Sequence, residues 1–214
     1  MLKLFGTAAL TLAVAGSLLT STPAHASTAD DAAAQRGTTS LAEVLGADGQ
    51  AFDGKWSDFD IVEAAVYAVL DANPDSPVGL LADGKTRLTA FVPTDKAFRK
   101  LVADVFGKKL DSEMKVFAKL AKKVDIATIE DVLLYHVVPG MTITAEQALG
   151  SDGAALPTAL DDASVTVSVS DDNLKLVDLD TSDGNAKVVV VDINKGNKQI
   201  AHAINKVLRP LDLP

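Results

Sequence analysis

The sequence predicts an α+β fold, with helices filling the first part of the chain and mostly antiparallel strands the second. Three observations predict it. Up to about residue 134 apolar residues recur at helical spacing, and from Val165 onward they alternate with polar ones. Clusters of Gly, Pro, Asn and Asp separate the segments at the intervals that short connections need.

The elements follow in order. Ser40 and Glu43 stand at capping-box spacing, and Leu41, Val44 and Leu45 give the first helix its apolar face. A Gly-bearing loop runs over 46–55, and Asp58 is the candidate cap of a second helix. Phe59, Val62, Val66, Val69 and Leu70 share one face of that helix, and Asn73-Pro74 ends it. Residues 88–92 read as a strand. Pro93 stops it, and Thr94 begins a helix carrying Phe98, Leu101, Val102 and Val105. Lys119, Lys122 and Lys123 mark a solvated helix face. A further helix over 128–134 feeds a short strand at 136–138, closed by Pro139-Gly140. Thr144 and Gln147 again have capping-box spacing.

The strand half opens with Val165, Val167 and Val169, followed by a turn at Asp171-Asp172-Asn173. Leu174, Leu176 and Leu179 are assigned to the next strand, with a bulge near Val177. After a turn over 181–185, the continuous Val run within 187–192 predicts a strand buried on both faces. The last apolar run, 200–208, ends at Pro210.

The ends of the chain carry their own signals. Met1-Leu2-Lys3 is a basic start, 4–19 is apolar and uncharged, Ser21-Thr22-Pro23 breaks the run, and Ala24-His25-Ala26 is a small-x-small cleavage site. Residues 1–26 are therefore expected to be a secretory signal peptide rather than a retained anchor. Residues 27–39 are expected to form a flexible leader, and 40–214 one domain. No later stretch is apolar and long enough to span a membrane.

Composition excludes several functions. The 214 residues carry a formal charge of −9, and losing Lys3 makes the remainder more acidic still. Such a chain is repelled by nucleic-acid phosphates and by anionic lipid. The absence of cysteine removes thiol nucleophiles and cysteine-based zinc sites, and only His136 and His202 remain after processing. No nucleophile elbow or Gly-rich phosphate loop is present. Asp178, Asp180 and Ser182 imitate the start of a calcium loop. Asp183 and Val189 then occupy the positions that need Gly and Glu, so a polar turn is expected there. No enzyme activity, metal or cofactor is expected.

Three stretches, in order, resemble the signature segments of the fasciclin (beta-Ig-H3/fasciclin) domain family. They are Thr89-Ala90-Phe91-Val92-Pro93-Thr94-Asp95-Lys96-Ala97-Phe98, Leu134-Tyr135-His136-Val137-Val138-Pro139-Gly140, and the closing run from Ile200 through His202 to Pro210. The chain is similar to the single-domain secreted bacterial type. It departs from the pattern where Asn197-Lys198-Gln199 replaces a commoner Asn-Gly, and where Asn205 stands for Asp. The resemblance implies a wedge or sandwich of mostly antiparallel strands flanked by helices. It also implies an extracellular role in cell adhesion or protein–protein interaction, with a cell-envelope protein or polysaccharide as partner. Tyr135 and His136 are the binding candidates by this resemblance, although a Tyr-His pair in an apolar run also suits a hydrogen-bonded core. Pro93, Thr94, Asp95, Phe98 and His202 are expected to be structural. Pro93 ends the ladder, Thr94 caps, Asp95 meets the helix dipole and Phe98 points inward. A carrier of a small apolar ligand or cofactor is the alternative function.

Overall fold

A computed structural model describes residues 36–49, 52–171, 173–182 and 184–210. The expected signal peptide and residues 27–35 of the expected leader lie outside the described residues. Residues 36–39, also placed in the leader, are tied to the body of the domain. Gly37 N–H donates to Gly196 O at 2.9 Å, Lys198 N–H donates to Gly37 O at 2.9 Å, and Thr39 N–H donates to Asn197 Oδ1.

The helices are α1 (Leu41–Leu45), α2 (Asp60–Ala72), α3 (Asp95–Phe106), α4 (Glu113–Lys123), α5 (Ile126–Tyr135) and α6 (Ala145–Leu149), with 3₁₀ turns at Gly46–Asp48 and Pro77–Ala82. Caps explain several starts. Ser40 accepts the Glu43 N–H, Asp125 the Thr128 N–H, and Thr144 with Gln147 forms the full reciprocal box.

The strands are β1 (Leu88–Pro93), β2 (Val137–Pro139), β3 (Ala155–Pro157), β4 (Ser164–Ser170), β5 (Asn173–Val177), β6 (Ala186–Ile193) and β7 (Gln199–Ile204). They form one sheet in the order β2-β1-β7-β6-β5-β4-β3, antiparallel throughout except for the β1–β7 pair. The sheet curls until its ends approach, where Ala159 N–H donates to Val137 O at 2.7 Å. The fold is α+β, as the sequence predicts.

Two cores result, because alternate residues of a strand serve opposite faces. Leu88, Ala90 and Val92 of β1 pack under α1, α2, α3 and α5. Phe91 turns the other way, into an apolar filling inside the curl with Tyr135, Val165, Val167, Leu176 and Ile204. Gln199 clasps the helical layer to the sheet. It is fully buried, accepts the Leu41 N–H at 2.7 Å, and donates to Leu80 O and Asp83 O. The bulkier segment Asn197-Lys198-Gln199 thus contributes, through Gln199, three hydrogen bonds between the layers.

Four expectations need correction. Asp58 does not cap α2; Phe59 occupies the cap position without a side-chain bond. Thr94 occupies the cap position of α3 by backbone geometry, but its side chain makes no cap hydrogen bond. Leu179 lies beyond the end of β5 and is half exposed. The valine run of β6 is not buried on both faces, since Val189, Val190 and Val191 are 53%, 49% and 51% exposed. The cause is local. The register of β6 against β7 shifts between Val188 and Val190 and again before Ile193, while β5 reaches only Ala186 and Lys187.

Candidate functional site

The signature residues converge where β1 ends and α3 begins. Pro93 is the last residue of β1 and pairs with Ile204 of β7. Thr94 continues that register by donating its N–H to Ile204 O at 3.1 Å. Asp95, fully buried, exchanges bonds with the preceding layer. Its N–H donates to Asp58 O at 3.0 Å, and its Oδ1 accepts the Ile61 N–H at 2.9 Å. Asp95 therefore caps α2 across space, which is why Asp58 is not needed for that task. Burial, with Asp58 and Glu113 nearby, pushes its carboxyl up to about 8. Phe98 packs into the helical core and is buried.

Tyr135 and His136 end α5 and are buried, at 0% and 5% exposure. The Tyr135 hydroxyl donates to Ser164 O at 3.0 Å, so its ring closes the inside of the curled sheet. His136 bridges two segments. Its Nδ1 donates to Val132 O at 2.6 Å, and its Nε2 accepts the Leu208 N–H at 2.9 Å. Burial holds its pKa down to about 4. In this conformation neither residue offers appreciable surface to a partner. His202 is likewise buried, stacked on Phe91 with centroids 5.8 Å apart. Its Nε2 donates to Ile143 O, and its Nδ1 accepts the Asp192 N–H.

Two further features present themselves to ligands. An apolar cavity of about 280 Å³ lies between α2, α3, α4, α5 and β1, with Phe98, Phe117 and Val132 in its wall and Lys123 and Asp125 among its few polar lining residues. Sequence reasoning anticipates such a cavity only as an alternative, because a lining gathered from many separated elements has no contiguous signal. The second feature is the β6 edge. Past Lys187, β7 is the only strand partner of β6 among the described residues, and the three half-exposed valines stand there.

An α+β domain with a curled seven-stranded sheet and signature residues holding the junction of β1, α3 and β7 defines the class. A comparison with known families matches residues 68–210 to the Fasciclin domain, and the chain belongs to that family. Among solved structures, one described as a FAS1 domain pair from the insect cell adhesion molecule Fasciclin I is similar at 20% identity and a TM-score of 0.48. The likeness covers 68% of this chain and 46% of that one, so this chain spans less than half of that structure. No curated protein matches the chain. Among the described residues no helix is long and apolar enough to cross a membrane.

Proposed function

We propose that the chain is exported, loses residues 1–26, and acts outside the cell as a non-catalytic module that binds another protein. The observation that carries this reading is the β6 edge. An unpaired strand edge with apolar side chains is a template for an extended segment of a partner, which docks by continuing the ladder. Membership of the Fasciclin domain family supports it. Tyr135 and His136 then contribute by holding the fold.

The test has two parts. Intact mass of the exported protein should correspond to a start at Ser27. Immobilised protein should retain a partner from extracellular and envelope fractions, and Val190→Lys, a charge placed on the edge, should abolish retention while leaving the circular dichroism unchanged. Equal capture by Val190→Lys and the parent would overturn the edge as the contact.

The cavity favours a second reading, in which the domain carries a small apolar ligand. An environment-sensitive apolar dye should then bind saturably, with affinity falling about tenfold in the cavity-filling variant Ala65→Leu. Binding that is indifferent to Ala65→Leu would place the dye elsewhere and discard this reading.

A further inference from the structure

We infer that Asp58, Asp95 and Glu113 form a binding site for a single calcium ion at the meeting point of three helix N-termini. Asp95 and Glu113 are the first residues of α3 and α4, and Asp60, beside them, is the first of α2. One carboxylate oxygen from each of Asp58, Asp95 and Glu113 lies within 4.8 Å of the other two. Oxygens that share a calcium ion at about 2.4 Å stand at most about 4.8 Å apart, so the spacing suits this ion. A second group, Asp53, Asp60 and Glu113, satisfies the same limit and shares Glu113.

Carboxylates gather at helix N-termini for a simpler reason, since free N–H groups and the dipole favour them there. Backbone N–H groups satisfy only one oxygen each of Asp60, Asp95 and Glu113. Glu113 Oε2 accepts the Gly54 N–H at 2.9 Å, Asp95 Oδ1 accepts the Ile61 N–H, and Asp60 Oδ2 accepts the Asp53 N–H. The opposite oxygens, Asp95 Oδ2 and Glu113 Oε1, are buried with no hydrogen-bond partner, as are both oxygens of Asp58. Asp95 and Glu113 are 0% and 1% exposed, so water does not serve the unbonded oxygens. An anionic carboxylate buried without a partner is costly, and several together are more so.

Among the described residues the cation that acts on the cluster is Lys55, which reaches Asp58 through space while it is paired with Asp53. Among the described residues the ion pairs leave Asp58, Asp95 and Glu113 untouched. Lys55 is committed to Asp53, and Arg99 lies over the Trp56 ring at 4.5 Å. The other charged groups facing the cluster are Asp48, Asp60 and Glu63, all acidic. Burial and this crowding push the carboxyls of Asp60, Glu63, Asp95 and Glu113 upward. A hard divalent cation supplies the missing charge, and the all-oxygen donor set selects calcium over softer metals. The site was invisible in the sequence because its ligands come from three separated segments, unlike the twelve-residue loop that sequence patterns detect.

The experiment uses chelator-treated protein at neutral pH. Calcium uptake is followed by calorimetry, and terbium luminescence sensitised by Trp56, the chain's single tryptophan, provides an independent readout. One ion per chain should bind, with Kd of about 10⁻⁴–10⁻³ M. Calcium at 10 mM should raise Tm by several degrees and should displace terbium. Asp58→Asn and Glu113→Gln, which keep side-chain shape, should each weaken uptake at least tenfold, while Asp131→Asn, at an exposed position of α5, should not. No uptake at 10 mM, or uptake unaltered by Asp58→Asn and Glu113→Gln, would overturn the site and leave shared protons as the relief of the cluster.

Discussion

Replacing Asp180 with alanine should destabilise the domain by about 4 kcal/mol, because it removes the buried carboxylate that pairs with the buried Arg209. Arg209 and Asp180 are both buried, and Arg209 Nε lies 2.6 Å from Asp180 Oδ2. Asp180 Oδ1 accepts from both the N–H and the hydroxyl of Ser182, and Arg209 N–H donates to Asp178 Oδ2 at 2.9 Å. The expected polar turn is therefore a buried anchor that fastens the segment after β5 to the segment after β7. Asp180→Ala leaves the guanidinium buried without this counter-ion. Exchanging both partners, Asp180→Leu with Arg209→Met, removes the charges together and should recover most of the loss. Urea unfolding of the parent, the single and the double variant measures this. A loss below about 1 kcal/mol for Asp180→Ala would mean the pair contributes no more than a surface contact.

His136→Ala should cost about 3 kcal/mol, from the cavity it opens and from the Leu208 N–H it leaves without an acceptor. The residue also predicts a pH dependence. Its folded pKa of about 4 lies below the usual 6.5, so the unfolded chain takes up a proton between these values that the native state refuses. Stability from this group is whole above pH 6.5 and falls as pH drops toward 4, by about 3 kcal/mol in all. Nearby pH effects of other groups cancel when His136→Ala is compared with the parent, and the variant should lack this part of the slope. An unchanged midpoint together with lost partner binding would make Tyr135 and His136 a contact site after all.

Local signals in the sequence were dependable where one segment decides the outcome. The caps at Ser40 and Thr144 follow from residues three positions apart, and β4 follows from its strict alternation. The readings that failed depend on neighbours in space. The valine run of β6 resembles a fully buried strand, but the shortness of β5 and two register shifts leave it half exposed. Asp58 lies at the right distance to cap α2, yet Asp95 does so from the next helix. Asp58, Asp95 and Glu113 are three ordinary acids in sequence and become a cluster only when three helix starts meet. The cavity has the same origin.

The parallel pairing of β1 with β7 has a consequence for the order in which the domain is made. Leu88 faces Gln199, so this pairing joins residues more than a hundred positions apart. Closing so long a loop is entropically expensive and is deferred until many contacts can form at once. During synthesis, β1 waits beside β2 with its other edge bare, and β6 has no partner on its inner side until the last strand emerges. A chain that stops short of β7 therefore exposes two open edges at once and lacks Gln199, His202 and Arg209. Intermediates of this kind invite mispairing with other chains. Assembly waits on β7 and the residues just after it, which close the sheet on β1 and β6 together.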